Sequence, residues 1–456
     1  ASFKLMAFAY APLHGPAACE RMPLCAHADR PRPWGCDWFW AGQTTLATTL
    51  AVKVRRRMTA LRCSGGKAKQ IIEVRAGRVR RKPSEVVPDE AWFDLEHDLE
   101  GLKDIIFGSP LNVMLVFTPL GLASNALGWG EVTTFLLNFL AIVPLAKLLG
   151  EATEQLACSV GPTLGGLLNA TFGNAVEMII AIFALREGLT EVVKGSLVGS
   201  IVSNLLLVLG MCFFCGGVNF TTQRFSPTGA RTQYSLLLLA VLALVIPTVV
   251  LLTGARPESE LLISRGCAVV LAILYACYLV FQLVTHKDQF GPVEVASEEE
   301  KEEASLSKGA ALSLLLMSTL LVAPLSEALT GSVEGLTKAL SLSDAFVGVI
   351  LLPIVGNAAE HLTAVTVAMK DKMDLSLGVA LGSSTQIALF VVPFTVLAGW
   401  AMDVPMDLNF KTLDVSILLL TVLIVGSTIS DGESNWLEGA ALIGAYLLIA
   451  VSLWYI

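Results

Sequence analysis

Residues 173–177 read GNAVE and residues 356–360 read GNAAE, and each segment lies inside a long apolar run. The match continues without a gap through the helix that follows, so that Ser200 corresponds to Ser383. Upstream of the motifs, the two copies can be aligned again if the second copy is given three extra residues. Pro144-Leu145 then aligns with Pro324-Leu325. The chain therefore contains two copies of one structural unit.

The composition indicates a membrane protein rather than a soluble one. The sequence is 54% hydrophobic and 15% charged, with a mean hydropathy of +0.68. Its apolar residues fall into runs of roughly 17–25, the length of a membrane-spanning helix. We predict an all-α polytopic fold with eleven spans, at about 111–129, 133–150, 161–185, 192–217, 234–252, 262–284, 309–329, 345–369, 374–400, 413–430 and 436–455.

The number of spans in each copy predicts how the two copies are oriented relative to each other. Each copy contains five of the predicted spans, at residues 133–284 and 309–455, and one extra helix precedes them. Because five is odd, the copies must cross the membrane in opposite directions. Inverted repeats of this kind are typical of secondary transporters, whose binding site lies near the midplane between the repeats.

The charges divide the chain into regions. Residues 1–104 are basic and are predicted to form a disordered cytosolic tail, while residues 105–456 form the membrane domain. An acidic loop at residues 288–307, with the acidic run 298–303, separates the two repeats. The basic tail places the N-terminus in the cytosol by the positive-inside rule, and six spans return the acidic loop to the same side.

Glu177 and Glu360 are the candidate transport residues. Both lie in the middle of an apolar run, where an ionised carboxylate costs about 3 kcal/mol or more. As equivalent residues of an inverted repeat they are expected to face each other, and neither motif contains Lys or Arg. A divalent cation would stabilise both carboxylates, and protonation is the alternative when the cation leaves.

The residues near the glutamates suit a hard cation. Asn174 and Asn357 lie three residues before them on the same helical face. Gly173 and Gly356 allow the helix to loosen and expose backbone carbonyls, although close helix packing explains the glycines equally well. The following helix of each copy adds polar side chains that either bind the cation or satisfy their own backbone: Ser200, Ser203, Asn204, Ser383 and Gln386. Oxygen ligands of this type favour calcium.

His361 is a position where the copies differ, since Met178 is its counterpart. Two interpretations remain open at this point. The histidine is either a hydrogen-bonded structural residue or a group that holds Glu360 and relays a proton.

The motifs GNAVE (173–177) and GNAAEH (356–361), flanked by VGSIVSN (198–204) and LGSSTQ (381–386), resemble those of the calcium/proton exchangers within the calcium/cation antiporter superfamily. The resemblance covers roughly residues 105–456. It implies eleven spans and import of cytosolic calcium into an acidic compartment, typically the vacuole, in exchange for protons. It also implies that the residues matching the family's cation site are Glu177, Glu360, Asn174, Asn357 and Gln386.

Three other functions are compatible with this sequence. A sodium-driven calcium exchanger and a proton-driven manganese or magnesium exchanger share the architecture, and a cation channel is a more distant alternative. We expect no enzymatic activity, no cofactor beyond the transported calcium and protons, and no nucleic-acid partner. The sequence leaves a homo-oligomer open.

Overall fold

A computed structural model describes residues 92–254, 256–286 and 304–455. The acidic run 298–303 and the tail up to residue 91 lie outside the described residues, so the predictions made for them stay predictions. Within the described residues the fold is helical, apart from two short antiparallel strands, Gln223–Arg224 and Glu433–Ser434.

Ten described helices are long and apolar enough to cross a membrane, and a shorter apolar helix, Thr412–Thr428, lies between the last two of them. Every one of the eleven predicted spans overlaps one of these helices. We number them spans 1 to 11 in chain order: Pro110–Leu127, Glu131–Val160, Leu164–Arg186, Thr190–Asn219, Pro227–Leu252, Ser259–Thr285, Lys308–Gly331, Asp344–Ala368, Met373–Ala401, Thr412–Thr428 and Trp436–Trp454.

Several spans are built from more than one helical segment. Span 1 begins as a 3-10 helix, Pro110–Val116, and span 6 ends in a π-helical turn, Phe281–Thr285. Spans 4 and 9 contain π-helical segments at equivalent positions of the two copies, Ser203–Val208 and Ile387–Val391. Distortions of this type widen a helix by leaving backbone groups out of the regular ladder, and they occur frequently at functional sites.

The two glycine motifs differ in backbone structure. In span 3, one helix ends at Phe172 and the next begins at Ala175, so Gly173 and Asn174 form a break. In span 8, the helix Leu352–Ala368 runs through Gly356 without interruption. The prediction that the glycine loosens the helix therefore describes the first copy and not the second.

The two copies pack closely through span 4 and span 8. A Cβ added at Gly199 would lie 2.7 Å from Pro353 Cγ and against the backbone of Val349. A Cβ at Gly195 would be 3.4 Å from Gly348 Cα. Small residues at these crossings let the helix backbones approach, which is the usual way that membrane helices associate.

A helix at Leu95–Phe107 precedes the first span, so the predicted tail boundary at residue 104 falls inside this helix. Asp98 anchors it, because its carboxylate accepts hydrogen bonds from the Ser307 backbone N–H (2.7 Å) and hydroxyl (2.8 Å) at the start of span 7. Its exposed surface carries apolar side chains, including Leu95, Leu99 and Phe107, beside charged ones such as Glu96 and Glu100.

We expect Asp98→Ala to lower thermal stability without abolishing transport. The substitution leaves the Ser307 N–H without its acceptor, which costs about 1–3 kcal/mol. The apparent Tm of the purified protein should fall by a few degrees. Glu100→Ala, an exposed position on the same helix, is the matched control, and an equal loss in both variants would contradict the anchoring role.

Candidate cation-binding site

Asn174 stands at the break in span 3, where it precedes the helix Ala175–Arg186. Its amide nitrogen donates to Gln386 Oε1 of span 9 (2.7 Å) and to the Ala170 carbonyl (3.4 Å). Because the nitrogen faces two acceptors, the Asn174 carbonyl oxygen is the atom left for a further partner. Gln386 uses its own oxygen in this bond and thereby positions Asn174.

Asn357 is arranged in the same way in the second copy. Its amide nitrogen donates to the Pro353 carbonyl (3.0 Å) and to Ser200 Oγ of span 4 (3.4 Å). The carbonyl oxygen of Asn357 is thus also left for another partner. Each asparagine is bound to the other copy, by Gln386 or Ser200, so the two amides are oriented by contacts between the repeats.

Glu177 lies in the first turn of the helix Ala175–Arg186. Its carboxylate lies directly against Gly356 of the other copy, because a Cβ at Gly356 would be 2.8 Å from Glu177 Cδ and closer still to Oε1. The other carboxylate oxygen, Oε2, is buried and has no hydrogen-bond partner. Buried polar atoms are nearly always satisfied, so this oxygen is available to a ligand or a proton.

Glu360 lies on the opposite side of the same interface. The Ser383 hydroxyl binds its carboxylate, and Asn204 Nδ2 donates to that hydroxyl (3.1 Å). Glu360 and Glu177 are near enough to interact electrostatically. Within the described residues, neither glutamate forms an ion pair with Lys or Arg.

His361 is bound to Asn204 rather than to Glu360. Its Nε2 lies 3.2 Å from Asn204 Oδ1, and since that oxygen only accepts, Nε2 carries the proton. Asn204 therefore uses both ends of its amide within the protein, one on His361 and one on Ser383. This chain supports the structural interpretation of His361, as a residue that orients the Ser383 hydroxyl through Asn204.

The predicted hydroxyl ligands fall into two groups. Ser200 and Ser383 contact the candidate site through Asn357 and Glu360. Ser203 donates to the Ser200 carbonyl of its own helix (3.2 Å), which is the backbone-satisfying role. The sequence could not separate the roles of Ser200 and Ser203, because the two are three residues apart and share one face of span 4.

Two carboxylates at the contact between spans 3 and 8, with amide and hydroxyl side chains around them, are typical of the substrate site of a secondary transporter. The family model described as "Sodium/calcium exchanger protein" matches residues 130–284 and 310–455. The chain belongs to this family.

Individual relatives agree with the family match. The chain is 49% identical to a Ca2+/H+ antiporter of Synechocystis over 362 residues, covering 75% of this chain and 96% of the relative. It is 46% identical to vacuolar cation/proton exchanger 3 of Oryza sativa subsp. japonica, covering 78% of this chain and 88% of the relative. The solved structure of native YfkE matches with a TM-score of 0.67 at 36% identity, covering 76% of this chain and 100% of YfkE.

Proposed function

We propose that this protein is a Ca2+/H+ antiporter that moves calcium out of the cytosol in exchange for protons. The observation that carries the proposal is the buried, unpartnered Oε2 of Glu177 beside a second carboxylate, Glu360, at the contact between the repeats. The names of relatives at 49% and 46% identity support calcium and protons as the exchanged ions.

The site residues divide into ligands and positioning groups in this proposal. Glu177 and Glu360 bind the cation directly, and the free carbonyl oxygens of Asn174 and Asn357 complete an oxygen-rich shell of the kind that calcium prefers. Gln386, Ser200 and Ser383 hold Asn174, Asn357 and Glu360, respectively, through the contacts described above. Asn204 in turn holds Ser383. Gly356 leaves the space that the Glu177 carboxylate occupies.

In the proposed alternating-access cycle, the negative charge of the two glutamates must be neutralised whenever the site crosses the membrane. Two ionised glutamates in the membrane are stabilised by one Ca2+, or each by one proton, so the site crosses the membrane loaded with one or the other. A thousandfold calcium gradient costs about 4.1 kcal/mol, whereas one proton moving down two pH units yields about 2.7 kcal/mol. Two protons, one for each carboxylate, are sufficient.

The proposed orientation of the protein in its membrane follows from the cytosolic position of the N-terminal tail. With the basic tail in the cytosol, the side of the acidic loop is cytosolic and the opposite side faces the lumen of an acidic compartment. Relatives named as a vacuolar cation/proton exchanger and a vacuolar calcium ion transporter support the vacuolar membrane.

Vesicle transport tests the coupling. Acid-loaded vesicles containing the protein should take up calcium and release lumenal protons, and a protonophore should stop both because it removes the driving gradient. Calcium, manganese, magnesium and sodium are compared in parallel. Uptake driven by a sodium gradient alone would assign the protein to sodium-driven exchange, and calcium flux without proton movement would indicate a channel.

A further inference from the structure

Lys194 is a buried lysine in span 4 that the proposed transport cycle does not use. Only about 5% of the residue is exposed. Its ammonium group binds Asp407 Oδ1 (2.5 Å), Glu191 Oε1 (3.0 Å) and the Asn409 carbonyl (2.9 Å). Lys194 lies near the start of the helix Thr190–Val202, close to one end of span 4. A lysine buried at such a position needs partners of opposite charge.

Asp407 and Asn409 belong to the connector between spans 9 and 10, residues 402–411, which folds back into the protein. Leu408 and Phe410 in this connector are buried. Spans 5 and 6 hold its backbone, because Thr248 Oγ1 accepts from the Phe410 N–H (3.0 Å) and Ser264 Oγ accepts from the Leu408 N–H (2.9 Å). The connector is therefore a fixed part of the bundle, against which a helix can be positioned.

Other charged groups surround this contact. Glu260 of span 6 accepts from the Ser264 hydroxyl (2.7 Å) and interacts electrostatically with Asp407 and Lys194. Asp414 of span 10 interacts in the same way with Lys411 and Glu191. Lys194 thus joins span 4 to the acidic side chains of Asp407 and Glu260 at this end of the bundle.

The contact exists in one copy only. The repeat places Leu377 at the position equivalent to Lys194. The equivalent connector, between spans 4 and 5, lies on the other side of the membrane. Its described hydrogen bonds do not involve a lysine: Gln223 donates to the Ala368 carbonyl (2.9 Å), and the Ser226 N–H donates to Asp374 (2.6 Å). The lysine is therefore specific to the span that carries Ser200 and Asn204.

We propose that Lys194 is a positioning residue for cation transport. Its ion pair with Asp407 fixes span 4 to the connector 402–411 of the second copy. This contact sets the position of Ser200 relative to Asn357 and of Asn204 relative to Ser383. Ser200 is the sixth residue after Lys194, so the two side chains point about 120° apart on an ideal helix. Lys194 therefore contacts the connector from one face of span 4, and Ser200 contacts Asn357 of the candidate cation site from another face. The proposal rests on the proposed function, since it concerns binding of the same cation.

The test compares the calcium concentration for half-maximal uptake in acid-loaded vesicles. Lys194→Met should raise this concentration by about tenfold, as is common when a group supporting cation ligands is lost. Lys194→Arg keeps the positive charge and the capacity to donate to Asp407 and Glu191, and should stay near wild type. Lys338→Met is the matched control, because Lys338 forms an exposed pair with Glu334 on the same side of the membrane.

A second variant covers the case in which Lys194→Met does not fold. Asp407→Asn removes the charge of a partly exposed side chain, so the fold should survive, and it should raise the half-maximal concentration in the same direction. Folded variants with an unchanged half-maximal concentration and only a lower Tm would overturn the proposal. A wild-type protein that takes up no calcium would instead contradict the proposed function.

Discussion

Glu177→Gln and Glu360→Gln should each abolish calcium/proton exchange while leaving a folded protein. Each substitution keeps the volume of the side chain but removes one negative charge and one proton-accepting oxygen. A single remaining carboxylate cannot balance Ca2+, and it cannot exchange it for two protons. Uptake in acid-loaded vesicles measures the loss, which should reach the background of empty vesicles.

Binding provides a second measurement on the same variants. Calcium should raise the apparent Tm of the wild-type protein, by a stabilisation that grows with the logarithm of concentration above the dissociation constant. Both Gln variants should lose this response. Their Tm without calcium should equal or exceed that of the wild type, because a neutral amide is easier to hold in the membrane than an unpaired carboxylate.

Glu187→Gln is the matched control for these variants. Glu187 follows the helix that carries Glu177, and its side chain is exposed. The same change of charge at this position should leave uptake and the calcium response near wild type. Exchange at close to the wild-type rate in either Glu177→Gln or Glu360→Gln would show that the two-carboxylate mechanism is wrong.

Gly356→Ala should impair transport strongly through a single methyl group. The added Cβ would stand 2.8 Å from Glu177 Cδ and 3.4 Å from its Cγ, so the glutamate must move away. Since the obstructed group is the end of a flexible side chain, the helix backbone can stay in place and the fold should tolerate the change. The displaced carboxylate should weaken calcium uptake by about 10- to 100-fold, in the range seen when the surroundings of a bound cation are disturbed.

Gly378→Ala is the control, because a Cβ at Gly378 meets nothing within 4 Å. It should leave the half-maximal calcium concentration unchanged, and alanine should be neutral or slightly stabilising in its helix. If Gly356→Ala transports as well as Gly378→Ala, the Glu177 carboxylate does not bind the cation in the position described. A lower Tm with normal calcium affinity would lead to the same conclusion.

The sequence by itself determined the helical membrane fold and singled out the candidate site residues. Long apolar runs are a local property of the chain, so the eleven predicted spans could be located without any knowledge of their packing. The repeat of GNAVE at residues 356–360 added the relation between the halves, since an odd number of spans per copy requires inversion. Together these two features predict that Glu177 and Glu360 lie near the midplane.

The tertiary structure decided what each side chain does there. Whether Gln386 is a ligand or a support for Asn174, whether His361 contacts Glu360 or Asn204, and whether Gly356 bends its helix depend on how each helix is rotated against the others. That rotation is set by packing between residues that lie far apart in the chain. Lys194 shows the limit most clearly: the sequence gives only a charge near the end of an apolar run, and its partner Asp407 comes from a connector in the other copy.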